Sequence, residues 1–350
     1  MHRNRITCVV LIGTIPPPFG GVSIHIKRLA QKLVESGVEC YIISSIAHSQ
    51  MINGVNIINV KSNYAVLFHC LKLLPKKPIY HFHTMWSDGL AKFFLKIFRG
   101  KLVSTMHDTM LFDKYLSLSR KRRFICKSAI RLRQEKYIAV NKEIQSILLM
   151  LGIALSNTFI IPAYLPDEEN QPDELPKSII SYTKRNDLLI LVYGWRVSFN
   201  KNKQDVYGFN TAMEVYSELL KSRKDTGMIF LIPSGNSDEY IKLLANQFNL
   251  NDEYLLVNTP IKNMSNLLSL ISVYFRPSIT DGDSILVRES LSIGTRVVAS
   301  NVVNRPDGTY IFNNMVSEYV DGLNYCLTRN KSISESSDYY EEIVKVYDLV

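Results

Sequence analysis

Short runs of apolar, β-branched and aromatic residues alternate along this chain with stretches of helical spacing, and that alternation restricts the fold more than any other feature. In the first half the runs are Ile6–Gly13, Cys40–Ser45, Val55–Val60, Ile79–His83, Lys101–Met106, Lys136–Val140 and Phe159–Pro162. Helical patterns at Val22–Ser36, Tyr64–Leu74, Leu90–Phe98, Leu116–Gln134 and Lys142–Leu151 lie between them. In the second half, strands at Leu188–Gly194, Met228–Pro233, Glu253–Val257, Val273–Arg276 and Arg296–Ala299 are separated by helices that include Gly208–Lys221. Antiparallel neighbours can be joined by a tight hairpin, whereas parallel ones need a long crossover, usually a helix. The chain therefore predicts an α/β protein built on doubly wound parallel sheets. Ligands of such sheets meet the loops that follow the strands.

The 350 residues suffice for two domains, and 46% hydrophobic residues is an ordinary globular content. Residues 166–187, rich in Pro, Asp and Glu and without periodicity, read as a linker between domains 1–165 and 188–335. Charge marks the same boundary. Residues 1–165 carry 23 Lys and Arg against 7 Asp and Glu, while residues 166–350 carry 18 against 25. The basic half is suited to an anionic partner, whether membrane, nucleic acid or phosphorylated lipid. No apolar run approaches the ~20 residues of a membrane span, and the opening MHRNRITCVVLIG reads as a first buried strand and not as a signal peptide. The protein is therefore expected in the cytoplasm. Cys8, Cys40, Cys70, Cys126 and Cys326 are scattered, with no C-x-x-C pair, and predict reduced thiols with neither zinc site nor disulfide frame.

The stretch Pro277–Ser300 reads strand end, loop, helix, strand. Asp283 or Ser284 stands where a helix takes its N-cap, Ile285, Leu286, Glu289 and Ile293 follow at helical spacing, and Gly294 ends the helix. A loop feeding a helix N-terminus presents free N–H groups and the positive end of the helix dipole to an anion. The bracketing carboxylates Asp281 and Glu289 can take hydroxyls on either side, so phosphate flanked by polyols, as in a nucleotide sugar, is the ligand that fits. Gly20-Gly21 opens the first helix and lets backbone approach a ligand, but lacks the G-x-G-x-x-G spacing that a nicotinamide cofactor would require. Arg196, with Lys201 or Lys203, follows the first strand of the second domain, and two cations there would stabilise a departing diphosphate. His81, His83 and His107 stand at strand ends. His81 and His83 share one strand face, a spacing that admits a two-His metal site; without a carboxylate or Cys at ligand spacing they read as structural imidazoles, and no metal is expected.

The spacing of Asp281 and Glu289, followed by Ile293-Gly294-Thr295-Arg296-Val297-Val298-Ala299-Ser300, resembles the paired-acid signature of retaining glycosyltransferases of glycosyltransferase family 4, in their bacterial surface-polysaccharide type. Pro17-x-x-Gly20-Gly21 at the first helix, Thr105-x-His107, and Gly194 with Arg196 and a following Lys extend the likeness over nearly the whole chain. The resemblance implies a GT-B fold, two Rossmann-like domains facing an interdomain cleft, with a helix from residues 336–350 crossing back onto the first domain. It implies a nucleotide-sugar donor on the second domain, an acceptor on the first, retention of configuration and no metal or other cofactor. Glu289 would hold the ribose, Asp281 would contact the transferred sugar in place of the usual Glu, and His107 would contact the same sugar. Arg196 with Lys201 or Lys203 would clamp the diphosphate. The customary Gly-Phe-Gly loop is replaced by Gly282-Asp283-Ser284, ahead of Ile285. A nucleotide-sugar 2-epimerase of the same fold, or an inactive nucleotide-sugar-binding partner, are the alternative readings.

Ser119–Lys136 carries eight basic residues and one acid on a helical pattern, Arg120, Lys121, Arg122 and Arg123 among them. Nearby, Ala91–Lys101 alternates basic residues with Phe93, Phe94 and Phe98. This pattern predicts an anionic membrane surface as partner, with the protein peripheral on the inner face of the cell membrane. No helix-turn-helix, zinc-finger or RNP-type signature accompanies the charge, so nucleic acid is not the expected partner. A glycan or polyprenyl-linked acceptor suits such a location.

Overall fold

A computed structural model describes residues 6–46, 51–83, 89–108, 115–121, 123–124, 128, 135–167, 174–234, 237–250, 253–313, 315–328 and 337–350. It divides into two compact units, Met1–Leu165 with Asp338–Val350, and Pro166–Ser337.

In the first unit, strands β1 (Cys8–Ile12), β2 (Glu39–Ser44), β3 (Val55–Asn59), β4 (Ile79–Phe82), β5 (Lys101–Met106), β6 (Lys136–Ala139) and β7 (Thr158–Ile160) form one sheet in the order β3-β2-β1-β4-β5-β6-β7. Every pairing is parallel. The crossovers include α1 (Gly21–Glu35), α2 (Asn63–Leu73), α3 (Gly89–Ile97) and α4 (Lys142–Met150). Their starts are chemically marked: Ser62 Oγ accepts from Ala65 N, and Asn141 Oδ1 accepts from Ile144 N. A sheet covered on both faces must be apolar on both, and β1 is buried at all five residues. One face packs Ile26, Leu29 and Leu33 of α1; the other packs Val66, Cys70, Ala91 and Leu95 of α2 and α3.

The second unit repeats the plan with β8 (Leu188–Tyr193), β9 (Thr226–Leu231), β10 (Tyr254–Val257), β11 (Val273–Arg276), β12 (Arg296–Ser300) and β13 (Thr309–Phe312), ordered β10-β9-β8-β11-β12-β13 and all parallel. Its helices are α5 (Lys177–Thr183), α6 (Phe209–Leu220), α7 (Asp238–Gln247), α8 (Met264–Leu270), α9 (Ile285–Ile293) and α10 (Val316–Leu327). Helix α11 (Tyr340–Tyr347) belongs to the first unit and adds Ile343, Val346 and Tyr347 to the α1 face of its core. Burying three such side chains at about 1.5–3 kcal/mol each is enough to hold so short a helix in place.

Three expectations are corrected. Residues 166–187 are not all linker, because α5 lies within them and buries Ile179 and Tyr182 against the second sheet. The edge strand β13 escaped notice because its four residues follow a Pro-Asp-Gly turn and are largely half-exposed. The alternating segment Ala91–Lys101 does not turn its lysines outward: Lys92 and Lys96 are 4% and 2% exposed and grip Glu135, at 3.2 and 2.8 Å. The predicted helix Leu116–Gln134 falls largely outside the described residues, as do Arg122 and Cys126.

Candidate active site

Strand order reverses between β1 and β4 in the first sheet and between β8 and β11 in the second, and a crevice opens beyond the strand ends at such a reversal. The residues singled out from the sequence gather around these two places.

In the second unit, β11 ends in Arg276, a 7% exposed side chain. Its Nη1 donates to the carbonyl of Tyr193, the last residue of neighbouring β8, at 3.0 Å, while Nε and Nη2 donate to the two carboxylate oxygens of Asp281, each at 3.2 Å. Arg305 approaches Asp281 from the far side, Nη1 to Oδ2 at 2.7 Å, and donates from Nε to the Ser300 carbonyl. Ser300 Oγ in turn donates to the Ser278 carbonyl at 2.6 Å, and Asp281 Oδ1 accepts from Gly282 N. The loop between β11 and α9 is thus pinned at several points by one buried Arg–Asp–Arg group. Burial alone would raise the Asp281 pKa, but the charges of Arg276 and Arg305 and their hydrogen bonds bring it down to about 2.

Helix α9 starts after Ser284, which takes the N-cap position, yet its hydroxyl accepts no bond from the first turn. The Asp283 carboxylate takes Arg288 Nε at 2.8 and 3.0 Å. At Ser284 the side-chain cap expected from the sequence is therefore absent. Glu289 sits one turn further in and is 5% exposed. Tyr193 and Tyr207 define the neighbourhood. The Tyr193 phenol is pushed far up by burial, and is influenced by Tyr207, Tyr274, Arg276 and Glu289. The Tyr207 phenol, raised by burial, is influenced by Arg276, Asp281 and Arg196, and its ring lies 5.2 Å from the Arg276 guanidinium. Arg276 thus acts on both phenols, Glu289 on Tyr193, and Asp281 and Arg196 on Tyr207.

Arg196, Lys201 and Lys203 are all exposed. The two lysines occupy the tip of a turn closed by the Asn200 N to Gln204 O bond, with Lys203 left-handed at φ 58°. Asp205 ends that turn and caps α6, accepting from Tyr207 N and Asn210 N. Gly208 has φ +76°, and a Cβ there would lie 2.1 Å from the Pro277 carbonyl oxygen, so glycine alone lets the α6 start press against the site loop.

In the first unit, Gly20 is the N-cap of α1 and Gly21 its first residue; Ser23 Oγ accepts from Gly20 N at 3.1 Å and donates back to the Gly20 carbonyl. His107 follows β5, and its Nε2 lies 3.2 Å from His83 Nδ1. His81 spans Tyr347 Oη and Thr105 Oγ1, each at 2.7 Å, so both its nitrogens already have hydrogen-bond partners. His25, on the buried face of α1, completes the group, and burial lowers its pKa to about 4 and those of His81, His83 and His107 well below normal. These imidazoles are neutral at pH 7, so His107 can offer a hydrogen bond but no charge.

Arg276, Arg305 and His25 were not foreseen. Arg276 had a signal, a cation closing an otherwise apolar strand just before the loop; Arg305 and His25 reach their places through the fold.

Residues 19–163 match the family model Glycosyltransferase Family 4, under half of the chain. The whole chain is similar in structure to WaaG, a glycosyltransferase involved in lipopolysaccharide biosynthesis, with TM-score 0.66, 15% identity, and 93% of this chain and 91% of that one covered. It is similar also to Anabaena Alr3699/HepE in complex with UDP, with TM-score 0.70, 12% identity and coverage of 98% and 95%. Sucrose-phosphate synthase from Thermosynechococcus elongatus aligns with TM-score 0.65, 15% identity and coverage of 97% and 95%. The fold is GT-B. The first unit carries a glycosyltransferase family 4 domain, and the neighbours are enzymes of glycosyl transfer. No curated protein matches the chain by sequence.

Proposed function

We infer that the chain is a retaining glycosyltransferase that moves a sugar from a nucleotide-sugar donor to a glycan or lipid-linked acceptor in surface-polysaccharide assembly. The observation that carries this reading is the family 4 match of residues 19–163 within a chain whose GT-B neighbours span nearly its whole length. The pinned loop and the α9 start of the second unit, where Ser284 makes no side-chain cap, support a site for the donor phosphates, and the HepE structures named for UDP and for glucose favour a uridine donor. WaaG, named for lipopolysaccharide biosynthesis, favours the surface-polysaccharide setting.

In the reaction the bond from the anomeric carbon to the phosphate oxygen breaks, the acceptor hydroxyl oxygen bonds to that carbon, and the hydroxyl proton leaves with the diphosphate. Negative charge grows on the leaving group, so preorganised donors aimed there lower the barrier most. Arg196, Lys201 or Lys203, and the N–H groups at Ser284 and Ile285 are assigned that task, with Gly282 and Asp283 shaping the loop. Side-chain cations suffice for the diphosphate, so donor binding should survive EDTA. Glu289 accepts the ribose hydroxyls, Gly20 and Gly21 admit the donor to the first helix, and His107 gives the sugar a neutral hydrogen bond. A thermal-shift screen of nucleotide sugars tests the reading, since a ligand at about 100 times its Kd stabilises by ~2.7 kcal/mol. No shift with any nucleotide sugar would refute it. Binding without turnover over an acceptor panel would assign the inactive-partner alternative instead, to which the locked Asp281 lends weight.

Glu289→Gln keeps shape and removes charge. A lost charged hydrogen bond is worth roughly 1.5–3 kcal/mol, so donor affinity should fall about 10- to 150-fold. Calorimetric titration of the folded variant checks this, and unchanged affinity rejects the ribose assignment.

Among the described residues no helix is long and apolar enough to cross a membrane. The membrane reading rests instead on a surface: Arg120 and Lys121 are exposed, beside Phe124 at 73% and Leu116 at 51%, and Phe98 is 53% exposed. Each cation near an anionic surface contributes on the order of 1 kcal/mol, screened beyond about 8 Å at physiological salt. The protein should bind anionic vesicles, release them at high salt, and lose most binding when Arg120, Lys121, Arg122 and Arg123 become Glu, with donor affinity spared. Undiminished co-sedimentation of that variant would remove the claim.

A further inference from the structure

The geometry points to a transition-metal site of the zinc class in the first unit, held by His25, His83 and His107. The three residues come from α1, the residue after β4 and the residue after β5, and meet at the β1/β4 reversal of the sheet. One ring nitrogen of each lies within 4.8 Å of the others. A tetrahedral zinc site with Zn–N bonds of ~2.0–2.1 Å sets its ligand nitrogens about 3.3 Å apart. His83 Nδ1 and His107 Nε2 stand at 3.2 Å, already at that spacing.

Hydrogen bonding among the rings accounts for the His83–His107 contact but not for His25. His25 Nδ1 is 2.6 Å from the Ala163 carbonyl, which only accepts, so that nitrogen carries the proton and Nε2 is a bare lone pair. That Nε2 is buried and has no hydrogen-bond partner, and the same is true of His83 Nε2. His25 and His83 are 1% and 4% exposed. Buried polar atoms are almost always satisfied, and the bare His25 Nε2 needs an occupant that accepts an electron pair. A cation does so. The carbonyl bonded to the far nitrogen of His25 is the outer partner that metal-bound imidazoles usually have, fixing the tautomer and ring plane. His81, with both nitrogens engaged, lies against His83 with ring centroids 4.3 Å apart and the planes tilted by 34°.

An all-imidazole set selects zinc, cobalt, nickel or copper over magnesium or calcium, which prefer oxygen. Three protein ligands leave a fourth position for water or a substrate oxygen, the arrangement of zinc sites that do more than hold the fold. The assignment departs from the expectation of a metal-free protein. With Nε2 on the metal, the sugar contact given to His107 falls to its Nδ1–H.

The test is a cobalt(II) titration of untagged full-length protein after dialysis against chelator, with no donor present. The expected result is a single equivalent bound with the intense visible absorption of four-coordinate cobalt, displaced by zinc. His25→Ala and His107→Ala should each weaken binding by more than the roughly 10- to 100-fold that loss of an outer partner costs, while His69→Ala on α2 leaves it unchanged. Folded wild-type protein that shows no such spectrum, or a spectrum lost in His69→Ala, overturns the site even if a variant fails to fold. Donor affinity, measured separately by calorimetry, reports on the glycosyltransferase reading alone.

Discussion

Glu135→Ala should lower the melting temperature of the first unit by roughly 6–20 °C. Glu135 is 2% exposed, and its carboxylate takes Lys92 Nζ at 3.2 Å, Lys96 Nζ at 2.8 Å, Tyr137 Oη at 2.8 Å and the hydroxyl of Ser104. Two buried ammonium groups thus share one anion. Removing a single partner from a buried ion pair costs about 3–5 kcal/mol, because the remaining charge stays desolvated. That is a large share of the 5–15 kcal/mol typical of a domain, and converts at roughly 2–4 °C per kcal/mol for a unit of this size. Replacing Glu135 by Leu together with Lys92→Met and Lys96→Met should restore most of the loss, since apolar groups of like volume need no counter-charge. The pH dependence has a definite sign. Burial opposes ionisation of Glu135, yet the charges of Lys92 and Lys96 lower its pKa from 4.5 to about 2. A depressed folded pKa gives stability that is fully present above the unfolded value and lost as pH falls through the folded one, here from about 4.5 toward 2. Calorimetric melts of wild type and Glu135→Ala at pH 7 and pH 3 check both points: the gap between them should narrow on acidification, and a fall of under about 3 °C at pH 7 would contradict the buried-pair account.

Asp281→Ala should depress UDP and UDP-sugar affinity together and destabilise the second unit by about 3–5 kcal/mol. Read from the sequence, Asp281 is a sugar contact whose loss spares nucleotide binding. The structure places it between Arg276 and Arg305, so its removal releases two largely buried guanidiniums and unpins the loop that carries Gly282–Ser284. Asp281→Glu is no rescue, because the longer side chain must displace one guanidinium to keep the other. Titrating UDP alone and then a UDP-sugar separates the two accounts: selective loss of sugar affinity at unchanged melting temperature would return Asp281 to the role of direct sugar contact.

The strand runs were legible because both faces of each sheet are covered, which forces nearly continuous apolar stretches such as Cys8–Ile12 and Leu188–Tyr193. The start of α9 and the inward face of Glu289 were legible from helical spacing. Charge pairing was not. Lys92 and Lys96 on an aromatic helix look alike whether they face lipid or a carboxylate, and the carboxylate that decides lies about forty residues on. Asp281 finds Arg276 five residues back, within reach of a careful reading, but Arg305 is 24 residues away across β12. The histidine cluster is hidden for the same reason, since His25, His83 and His107 are adjacent only after a helix and two parallel strands have been laid side by side.

Helix α11 gives the molecule an order of assembly in time. The chain leaves the first unit at Leu165, makes the second, and returns at Asp338. During synthesis the first sheet emerges early, yet the α1 face of its core stays uncovered until Ile343, Val346 and Tyr347 clear the ribosome, and His81 waits as long for its Tyr347 partner. The second unit, contiguous in sequence, can close beforehand. Released chains truncated near residue 335 should therefore hold a protease-resistant second unit and a first unit still open to cleavage, and the first gains resistance only when residues 338–350 are present.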